Sequence, residues 1–206
     1  MFTVSRGLNI LTIVAMFSFD ATPVLALANP TDNIRTATDK ILSVLNDKSL
    51  NKEQRRSALR KEIRNIVDQR FDFQTMSKSV MANNWKKATG YERSRFIDFF
   101  SQNLEITYFG ALESYSGEEI KYVGEKIKGD RAVVDTVIVS KTKEIPVSYK
   151  MKLDIDIWYV YDVVIENVSL VSNYRNLYTA IIKNDGISGL LQNLEGRLAK
   201  YRKNPQ

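Results

Sequence analysis

Ser172, Tyr174 and Arg175 stand within four residues of one another, in the stretch ENVSLVSNYRNLY at 166–178. A serine can act as a nucleophile, a tyrosine as a proton donor or acceptor, and an arginine as a clamp for carboxylate or phosphate. Asp162, alone among apolar neighbours in WYVYDVVI (158–165), adds a carboxylate that could take a proton. The chain contains no histidine and no cysteine. Ser–His and Cys–His nucleophiles are therefore excluded, as are the usual zinc and copper ligand sets. A calcium or magnesium site of Asp and Glu alone would remain open, but no EF-hand spacing occurs.

Without an activating base, each of these residues has a structural role open to it. Ser169 or Ser172 can cap a helix that follows the last strand. Tyr174 falls on a buried helical stripe. Arg175 can hold a carboxylate or backbone carbonyls at the sheet edge, with a head-group phosphate as the lesser alternative. Asp162 reads as a hydrogen-bonded pin near a strand irregularity. No catalytic residue and no metal site are assigned.

The elements that must position these residues begin after an export-like leader. Residues 1–28 read MFTVSRGLNILTIVAMFSFDATPVLALA, with Arg6 ahead of an apolar segment and Ala26-Leu27-Ala28 as a small-x-small cleavage site. The expectation is a signal peptide over 1–28, cleaved on export, and a single domain over 29–206. The apolar run is short of the ~20 residues that a bilayer span needs. Net charge is +6 for the whole chain. The leader carries only Arg6 and Asp20, which cancel, so the expected domain is equally basic. Lys and Arg cluster over 52–64 and 197–203, which suggests docking to acidic partners or a solvated helix face. Nucleic acid is not expected as a partner, since export and the lack of a reading motif both argue against it.

The first half reads helical. Ile34, Ala37, Ile41 and Leu45 recur at helical spacing, and Leu59, Ile63, Ile66 and Val67 do so in a basic segment. Asp72 is placed as an N-cap flanked by Phe71 and Met76, and Thr89 with Glu92 has the form of a capping box. That box opens a long helix over about 90–115, whose stripe of Phe96, Phe100, Leu104, Tyr108, Ala111 and Tyr115 is wider than one buried face needs. Either the helix is wedged between two layers or one side of it lines a cavity. From Glu118 the period becomes two, predicting strands at Glu119–Glu125, Arg131–Ser140, Ile145–Leu153 and Trp158–Ile165. Short turns between them require antiparallel neighbours. The end is helical again, broken at Asp185-Gly186.

WYVYDVVIENVSLVSNYR (158–175) is similar to the signature of the MlaC-like, or toluene-tolerance, family. RFDF (70–73), YFGALESYSGE (108–118), GDRAVVDTVIV (129–139), IPVSYKM (145–151) and DGISGLLQNLE (185–195) appear in the family's order and spacing. The resemblance spans residues 32–198. Asn167 stands where the family usually has glycine, and Asp154-Ile155-Asp156-Ile157 replaces a turn that commonly contains one.

The resemblance implies an α+β fold: a curved antiparallel sheet of about four strands packed with helices, an NTF2-like cone enclosing an apolar cavity. It implies a periplasmic phospholipid shuttle without catalytic activity, moving lipid between an outer-membrane lipoprotein–porin complex and an inner-membrane ABC transporter complex. Its service would be to maintain outer-membrane lipid asymmetry. No cofactor is expected, with phospholipid carried as cargo. The residues expected to line the cavity are Phe96, Phe100, Leu104, Tyr108, Val134, Ile138, Val147, Tyr149, Met151, Trp158 and Val160, with Tyr174 and Arg175 as a head-group or structural clamp. The rival readings are a small-molecule lyase or isomerase on an NTF2-like cone and a periplasmic adaptor that binds only proteins.

Overall fold

A computed structural model describes residues 29–203. The signal-peptide reading falls on residues 1–28, outside the described residues. Local capping chemistry sets the helix starts. α1 (Pro30–Asn46) begins with proline in its first turn and Asn29 accepting from the Thr31 N–H. α2 (Lys52–Arg70) opens on a reciprocal Asn51/Gln54 box. α3 (Phe73–Met81) is capped by Asp72, which accepts from the Thr75 N–H at 2.8 Å. A short α4 (Asn84–Lys87) leads to α5 (Gly90–Glu113), opened by the expected Thr89/Glu92 box.

The sheet is a meander of four long antiparallel strands: β1 (Glu119–Lys128), β2 (Arg131–Val139), β3 (Glu144–Asp154) and β4 (Ile157–Ile165). A two-residue β5 (Val168–Ser169) pairs with the end of β4, so the strand count is five where about four were expected. Two bulges break the alternation. One lies in β1 between Tyr122 and Gly124, the other in β4 opposite Lys150/Met151. The second inserts Tyr161 between Val160, which pairs with Met151, and Asp162, which pairs with Lys150.

Both two-residue turns around β4 use left-handed backbone at Ile155/Asp156 and Glu166/Asn167. Asn167, with φ 66°, tolerates this conformation where glycine would be free of strain. Ile155 does not: it is β-branched, has φ 42° and is 89% exposed, so no packing offsets the strain. Ile155→Asn should therefore stabilise the protein by ~1 kcal/mol. A thermal melt should show the midpoint rising by about 2–4 °C; an unchanged midpoint would remove the argument.

α6 (Leu170–Lys203) closes the chain. Gly186, with φ 71°, kinks it at the expected break. A Cβ at Gly189 would lie 2.4 Å from the Cβ of Asp185, so only glycine fits against the kink. The buried side chains form three cores. One joins α3, α5 and α6, a second lies on the inner face of the sheet, and a third joins α1, α2 and α5 around Leu59, Ile63 and Phe109.

Candidate functional site

The strand register sorts the inner face of the sheet into rows. At one end stand Ile120, Ile138 and Ile145; next come Tyr122, Thr136, Val147 and Ile165; then Glu125, Val134, Tyr149 and Val163; then Ile127, Ala132, Met151 and Val160; finally Leu153 and Trp158. The third and fourth rows pack tightly at their centre: Val134 is 0% exposed and Met151 and Val160 are 1% exposed. Trp158 and Val147 are buried with them. Tyr122, Ile138, Ile145, Tyr149 and Ile165 share the same apolar face but keep accessible surface.

Among the described helical residues, Ile34 of α1 and Leu170 of α6 are the ones buried in the sheet core, while Tyr108 and Phe71 pack against both the sheet core and the helical core. α1 is tied down at its start, where Glu125 accepts from the Thr31 N–H at 2.9 Å and from its hydroxyl at 2.6 Å. Tyr149 keeps accessible surface, yet burial pushes its hydroxyl up to about 12. Tyr149 stands on the side of the sheet that faces the helices. Tyr108 is shifted upward as well, first by burial and then by the nearby Tyr174 hydroxyl.

The α5 residues expected to line the cavity are placed differently from one another. Phe96, Phe100 and Leu104 face α3 and α6, not the sheet. The Phe96 and Phe100 rings stack at 5.6 Å, and Phe100 meets Tyr174 edge-on at 5.4 Å. Tyr174 is thus a core residue of the helical layer. The width of the α5 stripe reflects burial between α6 on one side and α2 on the other, where Phe109 lies 1% exposed. Of the expected lining residues, Tyr108, Ile138 and Tyr149 are partly covered and pack against the sheet core, whereas Val134, Val147, Met151, Trp158 and Val160 are buried within it. Two open depressions, of about 530 Å³ at Asp185, Ser188, Gly189, Gln192 and Asn193 and about 480 Å³ around Asp72, Lys78 and Lys152, contain none of these residues.

The polar residues around Ser172 are structural fasteners. Asp162, 4% exposed, lies on the face opposite Tyr149. It accepts from Lys150 Nζ at 3.0 Å, from the Ser169 hydroxyl at 2.8 Å and from the Val171 N–H at 3.2 Å. Ser169, not Ser172, is the cap: its Oγ accepts from the Ser172 N–H at 3.1 Å. Arg175 donates from Nε to the Ser79 carbonyl at 2.7 Å, which fastens α6 to the end of α3 and not to the sheet edge. Much of the basic run is likewise engaged internally. Arg55 donates to the Asp47 and Leu50 carbonyls, Arg56 pairs with Glu113, Arg60 bonds the Tyr201 hydroxyl and Arg64 pairs with Glu105. Among the described residues no group of three or more metal-ligating side chains occurs.

The family model described as MlaC protein matches residues 35–196. The chain belongs to the MlaC family. Within MlaC proteins it is similar to the intermembrane phospholipid transport system binding protein MlaC of Haemophilus influenzae, 23% identical over 196 residues and covering 92% of each chain. A solved structure of a phospholipid-binding protein from Ralstonia solanacearum, in complex with a phospholipid, superposes with a TM-score of 0.72. It is 26% identical, and the match covers 84% of this chain and 98% of that one. MlaC membership accounts for the fold: an α+β domain whose open antiparallel sheet is packed with helices.

Tyr122 was not singled out from the sequence, and neither were the partners of the Asp162 pin. Tyr122 was readable in principle, because Ile120 and Tyr122 alternate within β1. The fastening of α6 by Asp162 has a fainter trace, a lone acid in an apolar strand followed by Ser169 seven residues on.

Proposed function

We propose that this protein is a periplasmic phospholipid carrier that holds acyl chains against the inner face of its sheet and moves lipid between the outer and inner membranes, so supporting outer-membrane lipid asymmetry. The observation that carries the reading is the apolar face itself. Tyr122, Ile138, Ile145, Tyr149 and Ile165 are incompletely covered although they lie on the side facing the helices. Leaving such surface without a ligand is costly, and each methylene transferred onto it from water gains ~0.8 kcal/mol. A carrier needs that gain and no covalent step. The similarity to a transport-system binding protein and to a phospholipid-bound structure supports the same function. The donor and acceptor would be an outer-membrane lipoprotein–porin complex and an inner-membrane ABC transporter complex.

A lyase or isomerase would need a free carboxylate on the inner face, and the oxygens of Asp162 are taken by three donors on the opposite face. Protein purified gently from the periplasm should release phospholipid on organic extraction, identified by mass spectrometry. Protein that arrives lipid-free and takes up none from phospholipid vesicles would overturn the carrier reading.

A further inference from the structure

The Tyr122 hydroxyl oxygen is buried and has no hydrogen-bond partner. Buried polar atoms are almost always paired, so an orphan on an otherwise apolar face calls for a partner from outside the protein. Directly above it, the Arg35 guanidinium carbon lies 4.0 Å from the centre of the Tyr122 ring. Arg35 is exposed, and its guanidinium makes no hydrogen bond or ion pair among the described residues. Thr136, the cross-strand neighbour of Tyr122, donates to the Val147 carbonyl at 3.0 Å and makes no bond to the Tyr122 hydroxyl. The place thus offers a buried O–H donor inside and a cluster of unused N–H donors at the surface.

We infer that Tyr122 and Arg35 hold the polar end of a diacyl phospholipid, with the Tyr122 hydroxyl donating to an ester carbonyl and Arg35 facing the phosphate. The inference rests on the carrier reading above and gives it an orientation. The ligand end that fits is made of acceptors only, and in a glycerophospholipid the ester carbonyls lie nearer the chains than the phosphate does. That order matches a tyrosine within and an arginine outside. Acyl chains beyond the esters then run along Ile138, Ile145 and Tyr149. Access requires α1 to shift, and Ile34 is its one buried apolar side chain on the sheet among the described residues.

Tyr122→Phe and Arg35→Gln in the mature protein test this. Lipid is supplied from vesicles of equimolar phosphatidylglycerol and phosphatidylethanolamine, and in parallel as a dialkyl ether phospholipid and as diacylglycerol. Tyr122→Phe should bind the diacyl phospholipids about two- to tenfold more weakly and the ether lipid as well as the parent does. Its unfolding midpoint without lipid should be equal to or above the parent's, because an unpaired buried hydroxyl has been removed. Arg35→Gln should weaken both phospholipid types and leave diacylglycerol unaffected. If the parent binds lipid but Tyr122→Phe binds ester and ether lipids with unchanged affinity, or loses both equally, the proposed orientation is wrong while the carrier reading stands. If the parent binds none of the lipids, both fail.

Discussion

Asp162→Ala should destabilise the folded protein by roughly 3 kcal/mol, the largest loss expected from any single surface-distant polar residue here. The carboxylate is 4% exposed and collects the Lys150 ammonium, the Ser169 hydroxyl and the Val171 N–H. Removing it leaves the first turn of α6 with an unpaired N–H and strips Ser169, the helix cap, of its own acceptor. Lys150 contributes less, since its side chain is 38% exposed and can turn to water. Asp162→Asn should recover part of the loss, because an amide oxygen can still accept from Val171. Urea denaturation would show the midpoint falling with the slope unchanged. A variant as stable as the parent would mean that the three bonds are replaced by water at no cost, and that α6 does not depend on them.

The second large effect concerns lipid and not stability. Ile138 sits between Ile120 and Ile145 on the inner face and keeps accessible surface. Ile138→Asp can therefore reach water in the lipid-free protein, but a bound acyl chain would bury its charge. Lipid capture from vesicles should drop at least about tenfold, while the unfolding midpoint moves little. Val134→Asp makes the contrasting variant: its side chain is 0% exposed, so the charge should unfold the sheet before lipid is in question. Normal lipid capture by a folded Ile138→Asp protein would place the chains elsewhere.

Where local chemistry decides the structure, the sequence was sufficient. Asp72, Thr89 and Glu92 announce helix starts because a cap must stand at a fixed offset from the N–H it accepts. The strands followed from alternation, since a half-buried strand cannot hide its period of two. Periodicity reports that a side chain is buried and not what buries it. The stripe puts Phe96 and Phe100 on a buried face that could line a cavity, but tertiary packing sets them against α3 and α6. Arg175 was placed at the sheet edge, and its actual acceptor, Ser79, lies 96 positions away in the chain. The inner face of the sheet was legible in Val134 and Tyr149. The placing of Arg35 over Tyr122 depends on how α1 lies over β1, which no local pattern encodes.

The bulge in β1 bears on self-association. The far edge of the sheet is closed by β5 and by Phe71, which bridges to Val160, so β1 is the strand left without a partner on one side. An unpaired edge invites a second chain to add a strand, and the danger grows when an apolar face lies just behind it. Here the break at Tyr122/Gly124 bends the edge out of register, and charged side chains at Glu119, Lys121, Lys126 and Lys128 line it. Two copies brought edge to edge would meet a kinked backbone and charged groups that pairing would have to desolvate. The molecule can thus keep an apolar face open to a small ligand while denying the same face to polymerisation.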